Sequence, residues 1–140
     1  MSWIHCAITA GVVGLLLTGG SKAGSVIMDR QAACKLVHTA DKHIGETITF
    51  RGEYVTDHIE RSLIEPVGCD QGIGLGATSA DADQALNAAD PPPWSNSRRI
   101  YATFTAVISQ EKPNDFQFLA DKGVRLDVAR VVDVKVTGPQ

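Results

Sequence analysis

Two stretches in the second half of the chain alternate side-chain polarity with a period of two. Ile100, Ala102, Phe104, Ala106 and Ile108 are interleaved with Tyr101, Thr103, Thr105 and Val107. Val124, Leu126, Val128, Val132, Val134 and Val136 share one parity, interrupted only by Arg130. Alternation of this kind puts successive side chains on opposite faces of a strand, with one face buried. The chain is therefore built around a sheet. Between the two strands, Glu111 to Asp115 carries Pro113 and Asn114 and reads as a turn. Phe116 and Phe118 extend it as a hairpin arm.

The first half supplies further elements. Asp29 is placed to cap a helix over 30–44, in which Ala33, Leu36, Val37, Ala40 and Ile44 recur at helical spacing, and Gly45 suits the position after its end. Ile48, Phe50, Gly52 and Tyr54 then alternate with Thr47, Thr49, Arg51 and Glu53, a half-buried strand whose Gly52 predicts a bulge or a sharp coil. Residues 55–60 form a polar turn and 61–65 a short second strand. Gly72, Gly74 and Gly76 mark a third strand with one bare face, where another backbone can approach closely. Thr78 and Asp81 fit a capping box for an alanine-rich second helix, which Asp90-Pro91-Pro92-Pro93 ends.

The amino-terminal residues read as a separate region. From Cys6 to Leu17 there is no charged residue, and Ser21 and Ala23 sit at the −3 and −1 positions of a cut before Gly24. A helix over this run would reach about 18 Å, short of the roughly 30 Å hydrocarbon core, so a secretory signal over 1–23 is expected rather than a membrane span. The segment before it lacks Lys and Arg, so an uncleaved anchor or a different start stays open. Cleavage leaves one domain over 24–140, about 117 residues, which suits a single core. It also removes Cys6 and leaves Cys34 and Cys69 as a pair. In an oxidising periplasmic or extracellular setting such a pair reads as a disulfide, with two buried thiols as the alternative.

Helix, three strands, helix, two strands is the element order of an α+β chain, mainly β, forming a five-stranded OB-like Greek-key barrel preceded by an N-terminal helix. The stretch from Ala33-Cys34-Lys35 through Gly45, Gly52, Tyr54 and Leu63 to Cys69 resembles small exported bacterial OB-fold-like proteins of uncharacterised function. The resemblance rests on a cysteine-bearing helix, a G-x-Y first strand and a second cysteine after strand two. It covers the first half of the mature chain. It implies a fold and a compartment, and brings no catalytic residues.

Function classes narrow by exclusion. The chain carries 13 Lys and Arg against 16 Asp and Glu, a net charge of −3, and Arg98-Arg99 is its one adjacent basic pair, which disfavours a nucleic-acid groove. His38 and His43 are about 140° apart around a helix and cannot share a zinc-binding face. Gly72-x-Gly74-x-Gly76 lacks the spacing of a dinucleotide loop, and no cofactor motif is present. No G-x-S-x-G or His-Glu-x-x-His motif occurs.

There remains the loop Asp57-His58-Ile59-Glu60-Arg61 joining the first two strands. Its bland reading is a solvated hairpin tip. Its functional reading is ligand contact, since this loop and the face of strands two and three take the ligand on OB barrels. His58, Arg61, Asn114, Phe116 and Phe118 are the candidate contacts, for a protein or a small polar ligand. Trp94 with Phe116 and Phe118 offers either an aromatic platform or, as the favoured reading, plugs for the barrel ends. The chain is expected to be an exported, non-catalytic binding module. A hydrolase or metal enzyme using Asp57, His58 and Glu60, and a structural part of an envelope assembly, are the rivals.

Overall fold

A computed structural model describes residues 26–59, 62–111 and 123–138. Their order is α1 (Arg30–Thr39), a 3₁₀ turn (Ala40–Lys42), β1 (Thr47–Thr56), β2 (Ser62–Pro66), β3 (Ile73–Thr78), α2 (Ala80–Ala89), β4 (Arg99–Gln110) and β5 (Val124–Thr137). The mixed sheet closes on itself in the order β1-β2-β3-β5-β4 and back to β1. Every neighbouring pair is antiparallel except β3 with β5, where Gly74 lies opposite Arg125 and Leu75 opposite Leu126. The expected α+β class and strand number agree with this ring. Segment 1–23, Glu60, Arg61, Asn114, Phe116 and Phe118 lie outside the described residues.

Helix α1 begins as its sequence dictates. Asp29 accepts a hydrogen bond from the Ala32 amide at 2.8 Å, satisfying one of the orphan donors of α1. Leu36 and Val37 are buried, each contributing on the order of 2 kcal/mol. The helix ends earlier than its apolar spacing implies: the chain tightens into the 3₁₀ turn after Thr39, and Ile44 lies beyond both, exposed. The cap of α2 is Ser79, not Thr78. Thr78 is still in β3, opposite Val128, while the Ser79 hydroxyl accepts from the Ala82 amide at 3.1 Å and donates to the Ala129 carbonyl at 2.7 Å. Ala82, Leu86 and Ala89 form the buried stripe of α2, which packs on β5.

The interior of the ring holds Phe50, Ile64, Phe104, Ile108 and Leu126, all essentially inaccessible. Phe50 and Phe104 face each other across β1 and β4 with ring centroids 6.2 Å apart. Gly52 does not mark a bulge. It pairs without interruption with Pro66 on one side and Ala102 on the other. A Cβ there would lie 2.7 Å from Ile64 Cγ2 and 3.1 Å from the Phe50 ring, so the glycine lets strands and core come together.

Bulges fall instead in β5 against β4, and the register of β3 with β5 also shifts between Leu75 and Thr78. The pairing slips between Thr105↔Arg130 and Ala106↔Val128, and again between Tyr101↔Lys135 and Thr103↔Val132. Each extra residue flips the parity of the strand beyond it. Val131 is consequently buried where the sequence parity favoured Val132, and Val134 is exposed. Asp133 takes a left-handed φ of 53° at the second slip.

Cys34 and Cys69 are joined, with Cα atoms 5.4 Å apart, tying α1 to the turn after β2. Arg30 reinforces the same junction, donating from Nε and Nη2 to the Gly68 carbonyl at 3.2 and 3.0 Å. Among the described residues no helix is long and apolar enough to cross a membrane.

Candidate functional site

Antiparallel pairing of β1 with β4 decides which residues meet at one end of the ring. Tyr54 lies opposite Ile100, so residues just past the end of β1 share a place with those just before β4. The first group is the loop carrying His58. The second is the segment from Asp90 to Arg98 that connects α2 to β4.

The loop is fixed by its own polar side chains. Thr56 Oγ1 accepts from the His58 amide and Asp57 Oδ1 from the Ile59 amide, both at 3.0 Å. The second is an Asx turn, a side chain standing in for a backbone acceptor. Ser62 donates to the same Thr56 hydroxyl at 3.0 Å, and Tyr54 Oη lies 3.3 Å from Ser62 Oγ. His58 itself has φ 61°, a left-handed conformation that histidine adopts more readily than most side chains.

The facing segment is equally tied down. Asp90 closes α2 through its amide, which donates to the Leu86 carbonyl at 3.0 Å, and the three prolines after it cannot continue the helix. Arg98 Nη1 donates to Asp90 Oδ1 at 2.7 Å and to the Pro91 carbonyl at 2.9 Å. The Arg98 amide donates to the Ser95 carbonyl at 3.1 Å, and the Ser97 amide to Ser95 Oγ at 3.3 Å. The end of β5 presses on this loop, since a Cβ on Gly138 would collide with the Ser97 carbonyl.

The two segments meet at His58. Its Nε2 lies 3.3 Å from Asp90 Oδ2, with the side chains of His58, Asp90 and Arg98 only 14%, 9% and 8% exposed. Its ring lies flat against the Trp94 indole, with centroids 4.8 Å apart and planes 3° from parallel. Asp90 thus holds Arg98 on one oxygen and His58 on the other. Trp94 stays 59% exposed, so it does not plug the end of the ring as the sequence favoured.

Of the candidate contacts, only His58 falls within the described residues. Sequence reasoning missed Asp90 and Arg98 as its partners because sequence distance hides them; the strand pairing of Tyr54 with Ile100 is the signal that brings them together. His38 and His43 stand apart from the site: His38 Nε2 is 3.9 Å from Asp70, and His43 Nδ1 is 3.0 Å from the Glu46 carboxylate. Among the described residues no three His, Cys, Asp or Glu side chains gather to hold a metal ion. The glycine-rich stretch shows a steric reason for two glycines: a Cβ on Gly72 would lie 2.6 Å from Leu63 Cδ1 and 2.8 Å from the Ile64 carbonyl, and one on Gly76 would collide with Asp127, whose Oδ1 accepts from the Ala77 amide at 2.9 Å.

Fold and site together define a small α+β protein with a ring-closed mixed sheet and a pinned, solvent-facing tryptophan at one end. No family model, curated protein or solved structure matches the chain.

Proposed function

We propose that this chain is an exported OB-type module that binds a protein or a small polar ligand and performs no chemistry on it. The ligand face comprises the β1–β2 loop, Trp94 and the adjoining surface of β2 and β3. One observation carries the reading: an indole more than half exposed, held in place by a buried ring of His58, Asp90 and Arg98. A large aromatic surface with little freedom left to lose is favourable for binding, because less side-chain entropy is lost on contact. The OB assignment is supported by β4 lying beside β1, outside the meander β1-β2-β3, a placement that a Greek key requires. Export is supported by the Cys34–Cys69 disulfide and by the apolar run ahead of Ala23. The resemblance to small exported bacterial OB-fold-like proteins points the same way.

The test compares wild-type chain with Trp94→Ala as bait against envelope extract, with sequencing of the mature amino terminus. The expected result is a mature chain starting at Gly24, and a retained partner or ligand that Trp94→Ala loses without a loss of folded structure. Equal retention by both chains contradicts the placement of the site.

A further inference from the structure

We infer that the outer face of β4, with its neighbours on β1 and β5, is a second interaction surface, which takes an extended acidic segment of a partner protein. The ligand face above uses Trp94, β2 and β3, so this surface stands apart from it and does not depend on it.

The face is set by the strand register. Ile100, Ala102, Phe104, Ala106 and Ile108 of β4 are buried inside the ring, so Arg99, Tyr101, Thr103 and Thr105 point outward. Residues directly opposite one another on paired strands share a face. Four successive outward rows follow: Arg99 beside Thr137, Tyr101 between Glu53 and Lys135, Thr103 between Arg51 and Val132, and Thr105 between Thr49 and Arg130. Each row holds one basic side chain, and successive rows on one face are about 7 Å apart. The strip stops at the next row, where Asp127 lies opposite Val107.

Charge sets this face apart from the rest of the chain. The sequence has more acidic than basic residues, yet Arg51, Arg99, Arg130 and Lys135 all lie exposed here. Two acidic side chains share the face. Glu53 is paired with Arg99 at 3.2 Å, and Asp133 accepts from the Thr103 hydroxyl at 3.5 Å. Arg51, Arg130 and Lys135 have no ion pair among the described residues. Like charges gathered on one face repel one another, and an anionic partner relieves that repulsion.

The spacing selects the occupant. Lys135 and Arg130 flank β4 on one side and Arg51 on the other, in consecutive rows. An extended peptide places alternate side chains on one face at the same interval of about 7 Å. Alternate Asp or Glu residues of a segment lying along β4 therefore meet Lys135, Arg51 and Arg130 in turn. A bilayer surface is a poorer match, because no exposed large apolar side chain stands in these rows to enter it. A single nucleic-acid strand stacks its bases on aromatic side chains, and the four rows offer Tyr101 alone, half-buried.

Fluorescence anisotropy with a labelled peptide of about ten residues, alternating Glu and Thr, tests the surface at low salt. The purified chain is expected to bind it. Arg51→Glu with Lys135→Glu is expected to weaken binding at least about tenfold, since one surface ion pair contributes up to about fivefold and reversal adds repulsion. Lys35→Glu with Lys42→Glu changes two exposed cations on α1 and the 3₁₀ turn, alters net charge equally, and is expected to weaken binding less than about threefold. Far-UV circular dichroism verifies folding, and Arg51→Gln with Lys135→Gln carries the test, with a smaller loss, if the reversed chain does not fold. No binding by wild type, or equal losses in the two charge-reversed chains, overturns the proposal. Tighter binding of oligothymidylate of matching length, or of vesicles of phosphatidylcholine and phosphatidylglycerol in equal parts, abolished by Arg51→Glu with Lys135→Glu, overturns the choice of an acidic peptide. Trp94→Ala is expected to bind the peptide as wild type does; a tenfold loss there would overturn the surface as a separate one.

Discussion

The Trp94 indole and the His58 imidazole lie 3° from parallel with centroids 4.8 Å apart, although the two residues are 36 positions apart in sequence. One face of the indole is thereby covered, and most of the ring stays in solvent. Such a stack contributes about 1 kcal/mol beyond the area it buries. Trp94→Ala is therefore expected to cost roughly 1 kcal/mol in urea unfolding while removing ligand retention. A loss above about 3 kcal/mol would place Trp94 among core residues instead.

Asp90 is the group that most needs its partners. It is nearly buried and receives Arg98 Nη1 at 2.7 Å. Arg98→Ala leaves that carboxylate facing His58 alone and is expected to destabilise the fold by about 3 kcal/mol. Arg98→Ala combined with Asp90→Ala is expected to cost less than the sum of the two single changes, because the stranded charge goes with its partner. Chemical denaturation of all four chains checks the cycle.

The disulfide encloses a 35-residue separation between Cys34 and Cys69. Closing such a loop in the unfolded chain stabilises the fold by about 4 kcal/mol in the chain-entropy model. Cys34→Ser with Cys69→Ser is expected to lose an amount of that order. Arg30, which bonds Gly68 twice, keeps α1 docked in the variant. Peptide mapping without reductant is expected to recover the Cys34–Cys69 pair.

Gly52→Ala is expected to destabilise by about 1–3 kcal/mol, as overpacking does. The added methyl group meets Ile64 Cγ2 at 2.7 Å and the Glu65 carbonyl at 3.1 Å, a backbone atom that cannot turn aside. Thermal unfolding measures the difference. Gly45→Ala meets no atom within 4 Å, but its φ of 91° makes it costly for a different reason, the backbone itself.

Much of this architecture could be read from local pattern. Alternation located β1, β4 and β5, and Asp29 announced α1, because these signals depend on residues close in sequence. Where pattern failed, a long-range contact had intervened. Val132 keeps the parity of Val128 in sequence, but the bulge after Val128 turns it over, and the second bulge, before Lys135, restores it. Gly52 looks like a bulge residue until the Ile64 side chain beside it is known. Thr78 looks like a cap until β5 claims it for the sheet. The site obeys the same rule: His58 stood out as a loop histidine, whereas Asp90 and Arg98 acquire their roles only when β1 and β4 pair.

Ligand contact is assigned to the Trp94 end of the ring. Photo-crosslinking in living cells addresses it directly, with the reactive residue at exposed Asn96 or at exposed Lys42. Lys42 precedes β1 and His58 comes after it, and a ten-residue strand separates the two ends of the ring by about 30 Å. Adducts from position 96 that disappear in Trp94→Ala, with none from position 42, are the expected result. Adducts from position 42 alone would contradict this placement.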